Sequence, residues 1–272
     1  MADIHYSIVI PAYNEQERIG ASLETLLAHI SRRRWRAEVL VVNDGSTDGT
    51  AEIVARIARH NPGVKLLQNP GNRGKGYSVR HGLQMASGDL VLFTDADLST
   101  PIHEADKLFA ALENGADVAI GSRWMESRLQ TQRQPFHRQV VGRMFNLVLW
   151  ATLRLNYQDT QCGFKAFRRR TARALSSMQQ VERWGFDAEL LFLARKLGLR
   201  IREVPVEWAH DHRSKIRVFR DGLRMVADLL IVRWYQISSR YKLRQATERL
   251  YSLEEIDATL AQSVPAFKAA NH

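Results

Sequence analysis

Cysteine is almost missing from this chain of 272 residues, with Cys162 standing alone. An internal disulfide is therefore excluded, and no Cys/His cluster has the spacing of a zinc site, so a reducing, cytoplasm-facing compartment is expected. Long apolar runs are missing too. The most apolar stretches, 140–155 and 223–237, are interrupted by Arg143, Asn146 and Arg154, and by Arg224, Asp228 and Arg233. Both fall short of the roughly 20 apolar residues that a spanning helix needs. The opening residues lack a basic stretch followed by an apolar one, so no signal peptide is expected. Acids are the scarcer charge, 29 against 39 Lys plus Arg, for a net +10. That balance favours anionic partners (phosphates, nucleic acid or an acidic membrane surface) without choosing among them.

What is present fits one large α/β domain, since 45% of the residues are hydrophobic. Up to about residue 121, short β-branched runs alternate with amphipathic stretches, the pattern of βαβ units and a mostly parallel sheet. Strands are expected at 6–11, 38–43, 64–68, 90–94 and 116–121, with helices over 19–30, over 50–60, after Gly74 and from Pro101. One further strand is expected at 201–208. From 218 to 244 the periodicity gives one or two helices with Phe219, Leu223, Val226, Leu230 and Trp234 on an apolar face and arginines elsewhere. The expected division is a catalytic domain over 1–215 and a helical extension over 216–272.

The chemistry-bearing residues gather at strand ends. The first strand leads into Pro11-Ala12-Tyr13-Asn14-Glu15 and a helix, at the sheet edge where open α/β folds bind ligands. Asn14 also suits a helix N-cap. The second strand ends Asn43-Asp44-Gly45-Ser46, where a carboxylate can hold a ribose hydroxyl or a uracil edge, or the turn can be only a loop and cap. The loop Asn69-Pro-Gly-Asn-Arg73-Gly74-Lys75-Gly76 opens a helix; its glycines let amides approach a pyrophosphate and the helix start adds positive potential. The apolar strand at 90–94 runs into Asp95-Ala96-Asp97. Side chains alternate along an extended chain, so both carboxylates can face one hard divalent cation, although such pairs also cap helices.

Taken in order and spacing, Ile10-Pro-Ala-Tyr-Asn-Glu15, Val42-Asn-Asp-Gly-Ser46 and Asp95-Ala-Asp97 resemble the GT-A, family 2 glycosyltransferases. The segments Val118-Ala-Ile-Gly-Ser-Arg123, Asp159-Thr-Gln-Cys-Gly-Phe-Lys165 and Glu182-Arg-Trp-Gly-Phe-Asp-Ala-Glu-Leu-Leu191 resemble the dolichyl-phosphate glucosyltransferase branch. The likeness spans roughly residues 5–235. It departs at Asn43, where many relatives carry a second aspartate, and in the N-terminal anchor of the eukaryotic relatives, so peripheral or partner-mediated membrane attachment is expected on the cytoplasmic face.

The resemblance implies a GT-A (Rossmann-like) fold and inverting transfer of a hexose from a nucleotide sugar, UDP-glucose, to a dolichyl or other polyprenyl phosphate. It implies Mg²⁺ or Mn²⁺ held by Asp97 with Asp95. Residues 11–15, Asp44, Gly74, Lys75, Asp95 and Ala96 would line the donor. Asp97, Arg123 and Asp187 would act at the reacting centre, with Arg123, Arg138, Arg143 and Lys215 receiving the acceptor phosphate. Trp184 would stack on the sugar or sit in the core. The helices near 143–155 and 218–244 suit a membrane headgroup region, or plain packing with a solvated basic face. GDP-mannose as donor, or a non-lipid acceptor, is the alternative. An RNA-binding module is disfavoured, because the cations are not interleaved with aromatics in any recognised RNA-binding pattern.

Overall fold

The computed structural model describes residues 4–126, 148–209, 218–243, 245–248 and 250. Seven strands form one sheet in the order β3-β2-β1-β4-β6-β5-β7. They are β1 (Tyr6–Ala12), β2 (Ala37–Asn43), β3 (Val64–Gln68), β4 (Leu90–Thr94), β5 (Val118–Ser122), β6 (Phe164–Arg168) and β7 (Ile201–Pro205). All neighbours pair in parallel except at β6, which runs antiparallel to both β4 and β5.

The helices are α1 (Ile19–Arg33), α2 (Thr50–His60), α3 (Lys75–Met85), α4 (Ala105–Glu113, entered through a 3₁₀ turn at Ile102–Glu104), α5 (148–153), α6 (Arg169–Met178), α7 (Phe186–Lys196) and α8 (Val218–Ile237). A parallel sheet covered on both faces needs apolar residues on both. Along β1, Ile8 and Ile10 pack with Ile19, Leu23 and Leu26 of α1 and with Leu108 and Phe109 of α4. The intervening Val9 packs on the other face, with Val79 and Leu83 of α3 and the apolar side of α7. The core is thus split into two layers by the period-two alternation of the strands.

Five expectations change. The first strand continues to Ala12, the fifth begins at Val118, and the last ends at Pro205. β6 was not expected: it is five residues long with Lys165 as its second residue, which breaks the apolar run that marks a buried strand. Among the described side chains of α8, Leu229 and Val232 are buried while Leu230 and Trp234 point outward, and those of the expected Phe219 and Leu223 lie outside the described residues. Tyr241 and Leu250 join the same core cluster as α7.

Candidate functional site

Strand order reverses at β1, which has β2 on one side and β4 on the other. Chains leave β1, β2 and β4 in the same direction there and open the crevice in which such sheets hold ligands. The register puts Ala12 beside Asn43 and Val9 beside Phe93, so the motifs that follow these strands share one edge.

Beyond β1 the chain turns sharply, and Asn14 adopts a left-handed backbone (φ 55°). Its amide donates to Ser46 Oγ and its Oδ1 accepts from Thr47 N at 2.8 Å. α1 starts only at Ile19, after Arg18, so Asn14 ties the first loop to the second and is not a helix cap. Pro11 and Ala12 close β1, and Tyr13 is exposed. Glu15 pairs with Arg18, whose Nη1 lies 3.8 Å from Asp97 Oδ2.

Asp44 is 3% exposed. Its Oδ1 accepts from Asn69 Nδ2 (2.8 Å) and Arg73 N (2.9 Å), and its Oδ2 from Gly74 N (2.8 Å). The carboxylate therefore shapes the glycine-rich loop from beneath. Asn43 donates to Gln68 Oε1 and accepts from Ser46 N, two roles that an aspartate could not combine. Gly74 has φ 111°, and a Cβ there would stand 2.5 Å from the carbonyl oxygen of Glu182. No other residue fits that position without moving the 180–183 loop.

Lys75, the first residue of α3, places Nζ 2.6 Å from Asp95 Oδ1 and 5.2 Å from the ring centre of Trp184. Burial alone would lower its pKa, but Asp95, Asp187 and Asp97 outweigh burial and hold it above the ordinary lysine range. Ala96 is buried between the two aspartates. Asp97 accepts from Ser99 N, and its pKa is raised, first by burial and then by the charge of Asp95. Two hard oxygen donors that repel each other at the mouth of a crevice fit Mg²⁺ or Mn²⁺, which take one or two carboxylates and complete their shell with phosphate and water. The backbone makes room for this arrangement at Gly163, where a Cβ would lie 2.1 Å from Asp95 Oδ2. His103, Glu104 and Glu207 also converge, but Glu104 is already ion-paired with Lys107.

Two expected site residues form ion pairs within the protein. Arg123 gives Nε (2.6 Å), Nη2 (2.7 Å) and its backbone N–H (3.0 Å) to Asp159, and stacks on Trp208. It thereby anchors the 159–163 loop. Asp187, in the first turn of α7, accepts from Lys165 Nζ at 2.5 Å, and both side chains are buried. Its charge also acts on Lys75 at the crevice. Burial raises its pKa, against the pull of Lys165 and Lys75. Arg138, Arg143 and Lys215 lie outside the described residues.

Sequence reasoning missed Arg18, Lys165 and Asp159 as parts of the site. Arg18 was detectable from its i+3 spacing to Glu15. Lys165 was signalled by a lone charge within Cys-Gly-Phe-Lys-Ala-Phe, and Asp159 carried no signal beyond its motif. Cys162 is buried, and its thiol is pushed up to about 12 by that burial, so it is inert at neutral pH.

Residues 7–175 match the family model described as glycosyl transferase family 2. The chain is 37% identical over 242 residues to the dolichyl-phosphate beta-glucosyltransferase of Drosophila melanogaster, covering 84% of this chain and 74% of that one. To the protein of the same name in Homo sapiens it is 32% identical over 252 residues, covering 88% and 78%. Among solved structures it resembles glucosyl-3-phosphoglycerate synthase from Mycobacterium tuberculosis in complex with Mn²⁺, UDP and glucosyl-3-phosphoglycerate. That match has a TM-score of 0.64 at 23% identity and covers 85% of this chain and 80% of that one. The sheet with its one antiparallel insertion, the crevice and these likenesses agree: the chain has the GT-A fold and belongs to glycosyltransferase family 2.

Proposed function

We propose that the chain transfers glucose from UDP-glucose to a dolichyl or other polyprenyl phosphate, with inversion at the anomeric carbon. The observation that carries this reading is the grouping of Asp95, Asp97 and Lys75 at the crevice, in a chain 37% identical to a dolichyl-phosphate beta-glucosyltransferase. A divalent ion, Mn²⁺ or Mg²⁺, is the expected cofactor, as a structural neighbour is complexed with Mn²⁺ and UDP. When bound by Asp97 and Asp95 it would neutralise the charge that grows on the departing diphosphate.

The protein's own residues account for the rest. The N-terminus of α3, whose preceding glycine loop is held in shape by Asp44, meets the diphosphate. Lys75 adds a charge beside it, and Trp184 offers a ring next to that lysine for the sugar. A phosphate oxygen of the acceptor forms the new bond to the anomeric carbon as the bond from that carbon to the diphosphate oxygen breaks, and UDP departs with the electron pair. Because the acceptor is already an anion, no general base is needed, and the burial of Asp187 is compatible with that. Arg138, Arg143 and Lys215 are the proposed cations for the acceptor phosphate, and Arg123 supports the site through Asp159. We keep residue 215 as the proposed end of the catalytic domain.

The test is transfer of label from UDP-glucose, with GDP-mannose in parallel, to a short polyprenyl phosphate in Mn²⁺, in Mg²⁺ and in EDTA. Metal-dependent glucolipid from UDP-glucose is expected. Mannolipid alone would reassign the donor, and metal-dependent donor hydrolysis with no lipid product would remove the acceptor.

A further inference from the structure

Gly74 is gripped at both ends of its residue. Its N–H donates to Asp44 Oδ2 at 2.8 Å, and its carbonyl accepts from Ser78 Oγ at 3.2 Å. A glycine has wide freedom of its own, so these two grips select the shape of the loop that leads into α3.

Both grips lead to one side chain. Asn69 Nδ2 donates to Asp44 Oδ1 at 2.8 Å and to Ser78 Oγ at 2.9 Å. The sheet brings these residues together. Asn43 and Gln68 are register partners in β2 and β3, and Asn69 N donates to the Asn43 carbonyl, so Asp44 and Asn69 leave the sheet side by side. Ser78 and His81 stand one turn apart on α3 and meet Asn69 from the helix. Asp44, Asn69 and Ser78 are all buried, where a polar atom that loses its partner has no water to replace it.

A carboxamide has two ends of the same shape and opposite chemistry. Turned over, Asn69 would present its oxygen to the Asp44 carboxylate, two acceptors with no proton between them. His81 guards against this, with Nδ1 2.9 Å from Asn69 Oδ1. Both protons of Asn69 Nδ2 are committed to Asp44 and Ser78, so Oδ1 is an acceptor and His81 Nδ1 carries the proton. Among the described residues, Asn69 is the one hydrogen-bond partner of this imidazole. Burial holds His81 below the ordinary histidine range, so the ring is neutral at pH 7 and this bond selects its tautomer.

We propose that His81 and Asn69 are positioning residues for the donor diphosphate: His81 orients the Asn69 amide, Asn69 sets Asp44 and Ser78, and these two fix Gly74 and with it the aim of the α3 N-terminus and Lys75. Neither residue acts on the donor directly. The inference rests on reading the crevice as a nucleotide-diphosphate site, and it adds residues that stand behind that site. A histidine that only filled space beside β3 could be replaced by any side chain of similar size.

The experiment compares His81→Asn, His81→Gln and His81→Leu. Asparagine carries its amide nitrogen where the imidazole carries Nδ1, glutamine carries it one bond further out, and leucine has no donor. In calorimetric titration of UDP with Mn²⁺, His81→Asn should bind within about twofold of the parent, whereas His81→Gln and His81→Leu should be weakened about tenfold, the effect of one lost hydrogen bond. Exchange of the Gly74 amide proton in the nucleotide-free protein should follow the same order, near the parent rate in His81→Asn and about tenfold faster in the other two. The proposal is overturned if glutamine or leucine serves as well as asparagine, if all three variants weaken binding alike, or if affinity falls while Gly74 exchange is unchanged. Should a variant fail to fold, the parent still decides: ¹⁵N spectra at pH 7 should show His81 as the Nδ1–H tautomer, and the Nε2–H tautomer would overturn the proposal. A parent chain that bound no UDP would bring down the donor reading, and the Gly74 exchange series would still separate a positioning role from its absence.

Discussion

At the crevice, Glu15, Asp95 and Asp97 face Arg18 and Lys75, three acids against two cations, in partly exposed positions. Behind it, where β5 and β6 meet α7, each acid has a cation of its own: Asp159 holds Arg123 and Asp187 holds Lys165. The two regions adjoin, and Asp95 contributes to the electrostatics of both Arg123 and Asp187. The unbalanced set is short of one positive charge and is reachable from solvent, which suits it to receive a cation with an anionic ligand. The balanced pairs are dry and satisfied. A buried pair of that kind adds little net stability over an apolar pair, but losing one partner strands the other, so its effect is to fix geometry.

The largest effect that would sharpen the contrast is on turnover. Asp97→Asn removes a charge from the unbalanced set without leaving a buried orphan. Glucosyl transfer should fall roughly a thousandfold or more, since metal stabilisation of a leaving group is worth several kcal/mol. The melting temperature should hardly change, and a variant that keeps normal turnover would break the comparison. Lys165→Met should do the reverse in kind: it strands Asp187 and should cost about 3–5 kcal/mol of stability in urea denaturation. Adding Asp187→Leu should recover much of that loss. If the single and double variants were equally unstable, the pair would not be the determinant.

The smallest effect concerns Glu189, which accepts from the Gln180 and Val181 amides and from Tyr241 Oη, and so ties the 180–183 loop to the C-terminal segment. Burial raises its pKa from 4.5 to about 6. Between these values the folded chain keeps a proton that the unfolded chain has lost, so stability from this group is full below about pH 4.5 and declines as pH rises to about 6. The decline is about 2 kcal/mol. The stability difference between the parent and Glu189→Gln should shift by that amount across this window, and a pH-independent difference would refute the assignment.

Much of the first region was legible in the sequence because its residues follow parallel strands. Once β1, β2 and β4 are recognised by their β-branched runs, the segments after them must share an edge, and Asp44, Lys75, Asp95 and Asp97 fall together. The second region was not legible. Arg123 and Asp159 are 36 residues apart and Lys165 and Asp187 are 22 apart. What joins them is the antiparallel insertion of β6, whose buried Lys165 hides it from a hydrophobic pattern. Arg123 and Asp187 were accordingly expected at the reacting centre, since a charge in a motif gives no sign of whether another charge already holds it. In α8 the periodicity showed a helix but not its orientation, because apolar residues occupy both faces.

The most direct test of the account is calorimetric titration of UDP into the parent chain, Asp97→Asn and the double variant Lys165→Met, Asp187→Leu, each in Mn²⁺ and in EDTA. Tight, Mn²⁺-dependent binding is expected for the parent and, weakened at most modestly, for the double variant, and it should be lost in Asp97→Asn. UDP binding of equal strength with and without Mn²⁺, or unaltered in Asp97→Asn, would contradict the claim that the unbalanced carboxylates are the ones that receive the metal and its donor.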